Sequence, residues 1–111
     1  MKYLFIIILM NSYGLCEMAE KIFLEANKAL IAENYNDAID KYESILNNGY
    51  ESTELYYNLG NAYYRAEYIG KSIWAYSNAL EISPRNSDIA HNLSIANTRI
   101  VDRIEMPKSF I

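Results

Sequence analysis

The sequence predicts an all-α fold of antiparallel helical hairpins, and three observations carry that expectation. Residues 19–52 laid over residues 53–86, an offset of 34, align Ala26 with Gly60, Asn27 with Asn61, Ala38 with Ser72, Ile39 with Ile73, Tyr42 with Tyr76 and Leu46 with Leu80. Within each unit apolar residues return at intervals of three and four, the period of one helix face. Only 4 Gly and 2 Pro interrupt the 111 residues, and the turn signals fall between the periodic stretches. A repeat of this length is one supersecondary unit that buries its apolar face by stacking on its neighbours.

Taken in order, residues 1–16 read as a secretory signal peptide: basic Lys2, an apolar run from Tyr3 to Met10, then the more polar Asn11-Ser12-Tyr13-Gly14. The run is shorter than the roughly 20 apolar residues of a spanning helix. Small residues at 12 and 14, or at 14 and 16, allow cleavage after Gly14 or after Cys16, and both sites stay open. Export to the periplasm or cell envelope is therefore expected. Leu15-Cys16-Glu17 is similar to a lipobox, but a lipobox has a small residue where Leu15 stands, so a lipoprotein is the lesser reading. Cys16 is the single cysteine, which excludes an intramolecular disulfide.

In the first repeat, Tyr35, Ile39, Tyr42 and Leu46 mark the apolar face of the second helix, and Asn47-Asn48-Gly49 supplies its end. Ser52 or Thr53 followed by Glu54 then caps the next helix, whose stripe is Leu55, Leu59, Ala62 and Ala66. Its partner carries Ile69, Ile73, Tyr76 and Leu80 and stops at Ser83-Pro84-Arg85-Asn86, because Pro lacks the amide donor and restricts the residue before it. Gly within a helix costs about 1 kcal/mol against Ala, so Gly60, like Ala26, is expected where a paired helix approaches closely. Ser87–Ile104 forms a last helix, apolar along Ile89, Leu93, Ala96, Ile100 and Ile104 and polar at Asn92, Arg99 and Arg103. One greasy and one wet face suit a cap. The expected domain is 17–105, with repeats 19–52 and 53–86, a cap helix 87–104 and a C-terminal tail 106–111.

The stretch from Tyr56 through Leu59-Gly60, Tyr63 and Tyr64, with Ser72, Tyr76, Ala79 and Pro84, resembles a tetratricopeptide-repeat (TPR) motif. The first repeat keeps Ile22, Ala26, Ala38 and Tyr42, with Glu25, Ile45 and Tyr50 where the motif has Leu, Ala and Pro. The resemblance implies two full helix-turn-helix repeats plus a C-terminal capping helix, an antiparallel α-hairpin solenoid that binds a partner peptide or helix in a concave groove. Carried over position by position, the groove residues are Asn27, Tyr57, Asn61, Tyr64, Arg65, His91, Asn92 and Arg99, with Phe23 and Leu30 beside them. A carboxylate clamp, which some TPR proteins carry, is not expected, because Phe23, Asp88 and Asn92 stand where it has cations or their neighbours. More narrowly, Asn61-Ala62-Tyr63-Tyr64, Ile82-Ser83-Pro84-Arg85-Asn86 and the segment from Asn92 to Glu105 resemble the TPR component of bacterial aerotolerance (Bat) operons. That resemblance implies an exported protein with membrane-complex partners.

Charge and chemistry narrow the function further. The net charge of −4 becomes −5 without residues 1–16, which disfavours nucleic acid as a partner. Residues 17–52 hold eight acids against Lys21, Lys28 and Lys41, an acidic stretch that reads as a solvated face before a docking patch. His91 is the only histidine, so neither a two-imidazole zinc site nor a histidine-based triad has support. No glycine loop cradles a phosphate, and Asn92-Leu93-Ser94 matches the glycosylation tripeptide only inside a predicted helix. The expectation is a non-catalytic scaffold or adaptor with no cofactor, no metal and no small-molecule substrate. The alternatives are a weakly self-associating structural repeat, or a truncated fragment of a longer membrane-anchored TPR protein.

Overall fold

The computed structural model describes the backbone of residues 2–104 and the side chains of residues 14–102. The tail 106–111 and the leader side chains through residue 13 lie outside the described residues. Five α-helices follow one another: α1 Lys2–Ile31, α2 Tyr35–Asn47, α3 Thr53–Arg65, α4 Ile69–Ile82 and α5 Ser87–Ile104, with no strand among the described residues. Each packs on the next, and α1 also touches α3. The all-helical expectation holds in that form. α1 runs through residue 16 without a break, and among the described side chains Ala19 is the first that packs on the core. Among the described residues no helix is long and apolar enough to cross a membrane.

Local chemistry accounts for most of the boundaries. Ser52 caps α3, its side chain accepting from the Leu55 amide at 3.0 Å. The Asn86 side chain accepts from the Asp88 and Ile89 amides at the start of α5. α2 ends in a Gly49 turn at φ 90°, where the Gly49 amide reaches the Leu46 carbonyl and the Tyr50 amide the Ile45 carbonyl. The turns after α1 and α3 have the same bonding but put glutamates in the left-handed position: Glu33 at φ 65° and Glu67 at φ 70°. A side chain costs about 1–2 kcal/mol in that conformation. These two turns carry no sequence signal.

The core divides into two clusters. One gathers Ala26, Ala38, Ile39, Tyr42, Ile45, Leu55 and Leu59 between α1, α2 and α3; the other gathers Tyr56, Ile69, Tyr76, Ala79, Ile89 and Ala96 between α3, α4 and α5. Leu46 packs against both. The stripes expected from the sequence need correction here. Tyr35, Leu46, Ile73 and Leu80 are only half-buried, while the deepest positions are Ala38, Tyr42 and Ile45 on α2 and Ile69, Ser72, Ala75, Tyr76 and Ala79 on α4. The small residues Ala38 and Ser72 let the neighbouring helices close over that side, and Ser72 satisfies its hydroxyl on the Ile69 carbonyl at 2.7 Å.

Gly60 shows how close the packing is. A Cβ built there would stand 2.6 Å from both Cδ1 and Cε1 of Tyr76, so the missing side chain is the seat of that ring.

Candidate functional site

The same polar contacts recur at a step of 34 residues. The Tyr42 hydroxyl donates to Asn27 Oδ1 at 2.5 Å and the Tyr76 hydroxyl to Asn61 Oδ1 at 2.5 Å. The Asn58 amide nitrogen donates to Asn27 Oδ1 at 3.0 Å, and the Asn92 amide nitrogen to Asn61 Oδ1 at 3.3 Å and the Tyr57 hydroxyl at 3.2 Å. Phe23 tilts on the Tyr42 ring at 6.0 Å and Tyr57 on the Tyr76 ring at 6.1 Å. Arg65 pairs with Glu33 and Arg99 with Glu67, tying the left-handed turn of one hairpin to the following helix. Burial raises the Tyr42 phenol from its ordinary 10.0 to about 12, with the nearby Asn58 amide opposing the shift. Tyr76 is pushed up for the same reason, with the Tyr57 phenol adding to the shift. Both hydroxyls therefore stay neutral donors, which is what holds the two asparagine carbonyls in place.

Beside this ladder lies an open cleft of about 450 Å³, lined by Leu30 and Ile31 from the end of α1, Glu33 from the turn, Tyr35 from the start of α2, Asn61, Tyr64 and Arg65 from α3, Tyr76 from α4, and Asn92 and Ile95 from α5. Ile31 is 82% exposed and Ile95 41%, so the cleft offers two unburied apolar side chains. Both asparagines present a defined edge. Asn61 commits its oxygen to Tyr76 and Asn92, and Asn92 commits its nitrogen to Asn61 and Tyr57. Among the described residues the Asn61 nitrogen and the Asn92 oxygen have no partner, one donor and one acceptor being left to a ligand. Arg65 sits over the Tyr35 ring at 5.3 Å, which steadies the guanidinium at the rim.

Of the eight groove residues expected from the sequence, Asn61, Tyr64, Arg65 and Asn92 line this cleft. Asn27 and Tyr57 are half-buried and spent on internal contacts. Arg99 stacks over the Tyr64 ring at 5.0 Å and pairs with Glu67. His91 is exposed and does not line the cleft. It occupies the register of Phe23 and Tyr57, but among the described residues no helix follows α5 to bring it a ring. Leu30 lines the cleft, whereas Phe23 packs on Tyr42. Ile95 was missed, although the step from Asn27 to Asn61 leads straight to it. Ile31 was missed in the same way, standing one step of 34 before Arg65, whereas Glu33 and Tyr35 carried no such signal. Among the described residues no group of three or more His, Cys, Asp or Glu could hold a metal ion. The chain matches no protein-family model and no curated protein.

Proposed function

We propose that this chain is a non-catalytic protein-interaction scaffold of the TPR type, working in the cell envelope and holding a partner peptide or helix in the cleft between α1, α3 and α5. The observation that carries the reading is the pairing, in one cleft, of a free amide donor and acceptor on Asn61 and Asn92 with the exposed apolar side chains of Ile31 and Ile95. A peptide unit supplies the complementary carbonyl and amide, and the isoleucines take an adjoining apolar side chain. The 34-residue recurrence of the Asn–Tyr contacts supports the TPR reading. The apolar leader supports export, and the segments shared with the Bat-operon TPR component favour a membrane-complex partner. Lipidation at Cys16 is the lesser form of the same localisation.

Affinity capture from envelope extract tests this reading, using the chain beside a variant carrying Ile95→Asp and Arg65→Glu, both at exposed or partly exposed sites. A partner retained by the first and lost by an equally stable variant supports the cleft; equal retention by both removes it. A second reading, self-association, is favoured by the face of α5 left uncovered among the described residues, where Leu80, Leu93 and Val101 line a hollow of about 470 Å³. Light scattering separates the two, since a monomer across micromolar concentrations eliminates self-association.

A further inference from the structure

A second hollow, of about 430 Å³, lies between the middle of α1, the end of α2, the turn before α3 and the first turn of α3, and shares no residue with the cleft. Its floor is apolar, with Ala19, Phe23, Ile45 and Leu55, and its edge carries Glu20, Glu51 and Glu54. That volume falls within the range of about 300–1,000 Å³ typical of ligand pockets. We propose that it is a docking site for a partner segment in which a lysine or arginine adjoins a large apolar side chain.

Charge separates this hollow from the cleft. In the cleft Glu33 faces Arg65, and the two cancel. Around the second hollow three carboxylates stand without a cation among the described residues: none of its lining residues is Lys or Arg, and none of the three takes part in an ion pair there. At physiological salt charges act over roughly 8 Å, so these three acids, rather than the acidity of the whole chain, determine what approaches. Glu54 has a local role at the start of α3, where an acid complements the helix dipole. Glu20 has no such role. Glu51 is held at the edge by the Tyr56 hydroxyl, which donates to its Oε1 at 2.8 Å.

An apolar floor with a carboxylate edge matches the build of a long cationic side chain, whose methylene stem lies on apolar surface while its charged head stays wet. The adjoining apolar residue of the partner covers Phe23 and Leu55. An acidic segment would bring like charges against the edge, and a purely apolar one would leave the three carboxylates facing its desolvated flank.

Selection from a random peptide display library, with the full chain as bait, tests the proposal, and it is independent of the cleft reading. The expected result is enrichment of peptides with Lys or Arg beside Leu, Ile, Phe or Trp. Their binding should fall about tenfold when Glu20, Glu51 and Glu54 are all changed to Gln, each exposed charge contributing on the order of twofold. It should be unaffected by Ile95→Asp. Cys16 lines the hollow and is the only cysteine, so an environment-sensitive fluorophore attached there gives a readout on the unmutated protein. Its emission should change on adding the selected peptide. Peptides with no basic excess, peptides lost with Ile95→Asp but kept by the triple variant, a silent fluorophore or an empty selection would each overturn the proposal.

Discussion

Gly60→Ala is the substitution that most sharply probes how the hairpins pack. The added Cβ would lie 2.6 Å from two atoms of the Tyr76 ring, well inside contact distance. Neither partner yields easily: Tyr76 is 2% exposed, and its hydroxyl is bonded to Asn61. Alanine gains about 1 kcal/mol of helix propensity over glycine. Overpacking costs about 1–3 kcal/mol, and a ring that backs away also weakens its hydrogen bond, worth about 1 kcal/mol. The balance is a loss of roughly 1–3 kcal/mol. For a domain of this size, each kcal/mol lowers the midpoint by about 4–8 °C. The first hairpin supplies an internal control, because Ala26, in register with Gly60, is fully buried in the same cluster as Tyr42, and Ala26→Gly should cost about 1 kcal/mol for propensity plus about 0.8 kcal/mol for the buried methyl group it removes. Thermal unfolding followed by circular dichroism checks both. A Gly60→Ala midpoint equal to or above that of the parent would show that the ring does not sit on Gly60, and Gly60→Leu should not fold at all.

Glu33→Gly should raise stability by about 0.5–1 kcal/mol in chemical denaturation, because glycine relieves the left-handed turn while the exposed pair with Arg65 at 3.5 Å contributes little. Asn61→Ala leaves the Tyr76 hydroxyl without its acceptor and should cost about 1–3 kcal/mol in the same measurement; loss of binding in that variant therefore reports on folding as much as on contact. Ser52→Ala removes the cap on the Leu55 amide and should cost about 1 kcal/mol, whereas Asn34→Ala, at a helix start with no side-chain bond, should cost less. In alkali the fold holds the neutral phenol: Tyr42 is raised from 10.0 to about 12 by burial, and Tyr56 to about 12 by burial and then by the Glu51 carboxylate. The folded chain thus binds more protons there than the unfolded one. Stability should be intact below about pH 10 and fall between pH 10 and 12, which tyrosinate absorbance followed beside circular dichroism will detect as a joint transition.

The helices were legible because their signals are local. Ser52, Asn47-Asn48-Gly49 and Ser83-Pro84 each punctuate a boundary by a known backbone preference, and the offset of 34 residues is visible without any structure. The turns at Glu33 and Glu67 were not legible, since a glutamate in the left-handed position is held there by the packing of the flanking helices, with Arg65 of α3 and Arg99 of α5 only adding surface ion pairs. Ile39, Tyr42, Ile69 and Tyr76 of the expected stripes are buried, but depth within a stripe was not legible. Periodicity finds apolar residues, but Ala38 and Ser72 are buried because they are small, whereas Tyr35 and Leu80 are only half-buried, Tyr35 under the Arg65 guanidinium and Leu80 at the edge of the second core cluster. For the cleft, the register located Asn61 and Asn92 but could not tell that Asn27 and Tyr57 spend their polar atoms internally. That depends on Tyr42, Tyr76 and Asn58, residues on other helices.

A photo-crosslinking amino acid placed at position 95, in the cleft, and in a second variant at position 82, equally open on α4, tests the account most directly in cells that make the protein. A discrete adduct formed from position 95 and absent from position 82 is the result expected of a scaffold that holds its partner between α1, α3 and α5. Adducts from position 82 alone, or of equal yield from both, would contradict it.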